Sequence, residues 1–75
     1  LKNLKKLFKS MSMVRRNYWM VVWDKKTGFF LNARGKGFNE KQVQKKFMKS
    51  NPHLKVIHIG KGTESPKTYR SLPFA

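Results

Sequence analysis

Tyr18-Trp19-Met20-Val21-Val22-Trp23 is the longest apolar run in the chain, and it limits the fold more than any other feature. Six residues rich in β-branched and aromatic side chains are too few for a core helix. Extended, they present apolar groups on both faces, so the run predicts a central strand covered on each side. It also falls far short of the roughly 20 apolar residues that span a bilayer.

The residues around this run supply the rest of a small α+β domain. Asp24-Lys25-Lys26-Thr27-Gly28 carries turn chemistry, because Asp bonds the backbone ahead of it and Gly takes up positive φ. The strand pattern then resumes over Phe29 to Ala33, and strands over Asn17 to Trp23 and Phe29 to Ala33 make a β-hairpin. Arg34-Gly35-Lys36-Gly37 is expected to break the second strand and form a connector. Asn39, followed three residues later by Gln42, gives an N-cap with a capping-box partner, and Phe38 and Val43 occupy the staple positions. A helix is predicted from Glu40 to about Lys49, stopped by Ser50-Asn51-Pro52. Leu54 to Ile59 alternates loosely and forms a third strand, bounded by Gly60-Lys61-Gly62.

The simplest closure places the third strand beside the first, giving an antiparallel three-stranded sheet of order 2-1-3 with one packed helix. Residues 13–62 are then a β-β-α-β domain and residues 63–75 an irregular tail. Residues 1–12 read as a basic amphipathic helix, with Leu1, Leu4, Leu7, Phe8 and Met11 at helical spacing and Lys2, Lys5, Lys6 and Lys9 on the other faces. Such a helix is marginal in water unless it docks, either on the sheet face opposite the packed helix or on a partner. A lysine-rich, acid-free start is also compatible with a targeting segment.

Charge sets the function class. In 75 residues, 18 Lys and Arg face three Asp and Glu, a net charge of +15. A compact chain carrying about one net positive charge for every five residues repels itself, and a polyanionic partner relieves that repulsion. Ten aromatics and a 39% apolar content argue against a wholly disordered chain. The absence of cysteine excludes a disulfide scaffold and thiolate metal sites.

The predicted topology brings four segments to one end of the domain: the start of strand 1, the end of strand 2, the start of the helix and the end of strand 3. These carry Arg15 and Arg16, Arg34-Gly35-Lys36-Gly37, the N-terminus at Asn39, and Lys61 between glycines. Glycines admit backbone N–H groups close to an oxyanion, a helix N-terminus adds unpaired donors, and Arg adds bidentate geometry. The plainer reading gives Gly35 and Gly37 only a turn to make. The pattern is not a P-loop, since the Gly-x-x-x-x-Gly-Lys-Ser/Thr spacing is missing. Lys41, Lys45, Lys46 and Lys49 make the helix surface almost uniformly cationic, and the single Glu40 has Gln44, not a cation, four residues on.

Candidate nucleic-acid contacts are therefore Arg15, Arg16, Arg34, Gly35, Lys36, Gly37, Lys41, Lys45, Lys49 and Lys61. Tyr18, Trp19 and Trp23 are expected mainly in the core, with base stacking available only if one sheet face opens. Asp24, Glu40 and Glu64 are scattered and form no carboxylate pair, while His53 and His58 point to opposite strand faces. No catalytic residue, metal or cofactor is expected. The function expected is phosphate-backbone binding of RNA or DNA by an intracellular accessory protein, ribosome-associated or phage-encoded. The competing expectation is a basic module that docks on an acidic protein. A membrane-active peptide, suggested by Leu1 to Met11, needs no hairpin and no capped helix and is disfavoured.

Overall fold

The computed structural model describes residues 14–75. The N-terminal helix expected over residues 1–12 lies outside the described residues. Strand β1 spans Arg16–Asp24, β2 Phe30–Gly37 and β3 Leu54–Lys61, and helix α1 spans Glu40–Ser50 between the last two. A 3-10 turn at Lys67–Tyr69 follows. The sheet is antiparallel with order β2-β1-β3, so the apolar run lies in the central strand.

Local chemistry explains the connections. The Asp24 carboxylate accepts from the Lys26 amide at 2.8 Å and the Thr27 amide at 3.3 Å. Gly28 donates to the Asp24 carbonyl with φ of 78°, a conformation an L side chain rarely adopts. The Asp24 carboxyl is held below its ordinary range, first by the Lys26 amide, with desolvation opposing and Thr27 assisting. The turn's contribution is thus complete above the ordinary carboxylate range and is lost as pH falls through the lowered value.

Asn39 caps α1 by accepting from the Gln42 amide at 2.8 Å. Gln42 reaches back to the amide of Phe38 at 2.7 Å, one residue before the cap, instead of to the cap's own N–H. At the other end, both the backbone and side-chain N–H groups of Asn51 donate to the Phe47 carbonyl, closing the helix one residue ahead of Pro52.

Alternation along β1 separates the two faces of the sheet. Tyr18, Met20 and Val22 face α1 and are buried with Ala33, Val43 and Leu54, with Leu31, Phe47, Val56 and Ile59 packed around them. Trp19, Val21 and Trp23 face the other way. Part of that second face is occupied by the C-terminal segment: Val21, Phe30, Ile57 and His58 line a groove with Thr68, Tyr69 and Leu72. His58 and Tyr69 stack there, with ring centroids 5.3 Å apart.

Two expectations change at Arg34-Gly35-Lys36-Gly37. This stretch continues β2 and pairs with Trp19, Tyr18, Asn17 and Arg16 of β1. Neither glycine has positive φ, so neither makes a turn. Both lie on the helix face, and their bare α-carbons let α1 approach. A Cβ on Gly35 would stand 2.6 Å from Val43 Cγ1 and 3.1 Å from Met20 Cε, and one on Gly37 would stand 2.7 Å from both Val43 and Gln42. Sequence patterning treats glycine as a break, whereas close helix packing demands it within the strand.

Gly35→Ala is accordingly expected to lower stability by about 1–3 kcal/mol through overpacking. Combining it with Val43→Ala should cost less than the sum of the two single changes, because the second vacates the space the first requires. Denaturant midpoints of the four proteins measure this, and simple additivity would disprove direct packing of Gly35 on Val43.

Candidate nucleic-acid interface

The observed register brings the predicted cations to one end of the sheet. Arg16 lies opposite Gly37, Lys36 opposite Asn17, Arg34 opposite Trp19, and Lys61 opposite Tyr18. Their positions along the strands divide them between the two faces. Arg16 and Lys61 are on the helix side, where they line an open cleft of about 430 Å³ with Tyr18, Phe38, the N-cap Asn39 and the first helical residue Glu40. The N-terminus of α1 contributes its partial positive charge to that cleft, and Glu40 opposes it.

Arg34 and Lys36 emerge on the opposite face. The Arg34 guanidinium lies over the Phe74 ring, 4.9 Å from its centroid. Arg15 sits just ahead of β1, 5.9 Å from the centroid of the Phe38 ring, and lines a second cleft with Lys36, Lys46 and Phe47 at the β2 edge. Arg15, Arg16, Arg34, Lys36 and Lys61 are all exposed. Among the described residues the one ion pair is Arg70 with Glu64, at 3.5 Å, so the cations at this end have no carboxylate partner there.

Lys41, Lys45 and Lys49 recur every four residues of α1 and are exposed. Val43 faces the sheet, so this stripe lies on the outer side of the helix and leads away from the cationic end. Gly35 and Gly37 do not offer free amides. Asn32 directs its own N–H and C=O away from β1, toward Pro73 and Ala75, so its pair with Val21 is of the non-hydrogen-bonded kind. Alternation then commits Gly35 and Gly37 to the ladder with β1. Their place near the cations reflects helix packing.

Three residues that matter here stand outside the sequence-derived set. Asn32, 2% exposed, holds the C-terminal segment: its N–H donates to Pro73, its C=O accepts from Ala75, and its Nδ2 donates to the carbonyls of Tyr69 at 2.7 Å and Leu72 at 3.0 Å. Its Oδ1 has no partner among the described residues. The visible clue is a lone amide between Leu31 and Ala33 in an apolar strand. Phe74 reaches Arg34 through the bridge that Asn32 makes. Trp19, expected in the core, is only half-buried.

Comparison of the chain with protein-family models, curated proteins and solved structures finds no match, so the functional reading rests on its own residues. No helix among the described residues is long and apolar enough to cross a membrane.

Asn32→Ala leaves the Tyr69 and Leu72 carbonyls without their donor, an expected cost of about 1–3 kcal/mol. The C-terminal segment should loosen first. Limited trypsin digestion reads this at Lys67 and Arg70, where cleavage is expected to accelerate before the remaining sheet unfolds. Unchanged cleavage at both sites would mean that Asn32 is not the latch.

Proposed function

We propose that the protein binds the phosphate backbone of a nucleic acid with its cationic end and is not an enzyme. The observation that carries this reading is the emergence of Arg16, Arg34, Lys36 and Lys61 at neighbouring register positions, on both faces, without a carboxylate partner among the described residues. Cations grouped this way raise the local potential far more than the same charges spread over a surface. Arg15 extends the group along the β2 edge and the lysine stripe of α1 extends it over the helix.

The three acidic side chains are scattered: Asp24 is held in its turn, Glu64 pairs with Arg70, and Glu40 stands alone at the helix start, lining the cleft of Arg16 and Lys61 without an ion pair among the described residues. This supports binding without chemistry. Contacts of this type fix a protein on its partner and carry little sequence information. The partner places the protein's work in a nucleic-acid-containing compartment such as cytoplasm, nucleoid or organelle matrix. The rival reading, docking on an acidic protein, draws support from Phe29, Phe30 and Ile57, large apolar side chains exposed toward the hairpin end.

Neutralisation of about five phosphates by Arg15, Arg16, Arg34, Lys36 and Lys61 gives an expected slope of log affinity on log salt of roughly −4 to −5 for duplex DNA, and about −3.5 for a single strand. Replacing Arg16 and Lys61 by Ala, or Arg34 and Lys36 by Ala, should each flatten the duplex slope by about two and weaken all sequences alike. Replacing Lys25 and Lys26 at the opposite end removes the same charge and should do much less. Equal losses from all three pairs would reduce the protein to a diffuse polycation. Loss of an acidic protein partner with unchanged nucleic-acid binding would favour the docking reading.

A further inference from the structure

One row of side chains on the face away from α1 goes beyond phosphate contact. Gly60 of β3, Trp19 of β1 and Arg34 of β2 lie side by side in register, and Phe74 extends the row beyond β2. Each member has a distinct physical role. Gly60 carries no side chain because the indole of Trp19 occupies its place: a Cβ there would collide with ring atoms Cζ2, Cε2 and Nε1. The indole is thereby held against bare backbone while staying partly exposed.

Trp19 and Arg34 are a non-hydrogen-bonded pair, by the same alternation that turns Asn32 outward, with the indole leaning toward Gly60 and the guanidinium toward Phe74. Arg34 in turn lies over Phe74, which is 59% exposed. Asn17 and Lys36 flank the row on the side of the cationic end. The result is an indole seated toward β3 and a phenyl ring beyond β2 on one face, with the Arg34 guanidinium, over the phenyl ring, between them in strand order.

We infer that this row is a stacking platform for the unpaired bases of a single-stranded nucleic acid, with bases on Trp19 and Phe74 and phosphates on Arg34 and Lys36. The inference rests on the phosphate-binding reading and narrows it from nucleic acid in general to single strands. A duplex keeps its bases stacked inside, so it can use the cations but not the rings. Every unpaired base offers a π-face, so the platform is tolerant of sequence. Charge complementarity selects this occupant over an apolar peptide, since Arg34 lies between the two rings in strand order and Lys36 flanks them on the side of the cationic end.

The test uses the full chain and three fluorescently labelled probes of equal length: oligo-dT, oligo-rU and a mixed-sequence DNA duplex. Affinities are measured by anisotropy at several salt concentrations. Both single strands are expected to bind more tightly than the duplex at matched salt, and the ratio between them reports the sugar preference. Trp19→Ala should weaken single-strand binding roughly 5- to 150-fold, the range of one lost base stack, while leaving duplex affinity and the salt slope unchanged. Trp19→Phe should restore most of the loss. Phe74→Ala, a change at an exposed side chain that leaves the core intact, should weaken single-strand binding in the same selective way. In a Trp23→Phe background, unlabelled single strands should quench the remaining Trp19 fluorescence.

Duplex binding as tight as single-strand binding, or equal losses on both from Phe74→Ala, would overturn the platform and leave the phosphate reading in place. Failure of the wild-type protein to bind any of the three probes would overturn both.

Discussion

The two-sided burial of β1 is the constraint from which the rest of the structure follows. Met20 and Val22 are wholly buried on one face and Val21 is 2% exposed on the other. Removing each from water contributes about 1.5–3 kcal/mol, a large share of the stability available to so short a chain. Both covers have to sit close, and each approach leaves its mark on the composition of the neighbouring strands. α1 reaches the sheet because Gly35 and Gly37 leave room for Val43. The C-terminal segment reaches the opposite face because Asn32 supplies hydrogen bonds to a stretch with little regular structure of its own.

The same topology gathers the charge. An antiparallel sheet of order β2-β1-β3 puts the start of the central strand beside the ends of both neighbours, and the connection from β2 starts α1 at that same end. Cations at those termini cannot avoid one another. Held together without an ion-paired carboxylate among the described residues, they destabilise the free domain and lower the free energy of any complex that neutralises them. Charge density and a compact fold are reconciled by placement: no Lys or Arg belongs to the buried cluster.

The element order, the hairpin turn, the capped helix and the central position of β1 were legible in local chemistry. Asp24 and Gly28 define the turn, Asn39 and Gln42 define the helix start, and an apolar hexapeptide defines the centre. The convergence of Arg15, Arg16, Arg34, Lys36 and Lys61 at one end followed once the strand order was right. Arg34-Gly35-Lys36-Gly37 was misread because a glycine's local signature is the same whether it turns the chain or admits a neighbour. Asn32 and Phe74 were passed over because their partners are distant in sequence.

The sequence by itself determined the elements, the central strand and the excess of positive charge, because each depends on nearest neighbours, on periodicity or on composition. Tertiary structure alone decided which face each cation occupies, why Gly35, Gly37 and Gly60 bear no side chain, and how Trp19, Arg34 and Phe74 come into one row. Face is set by register, and one residue of slip sends every side chain to the other side. What covers each face is in turn tied to contacts between separate elements, Val43 of α1 on Gly35 of β2 and Asn32 of β2 on Tyr69 and Leu72 of the C-terminal segment.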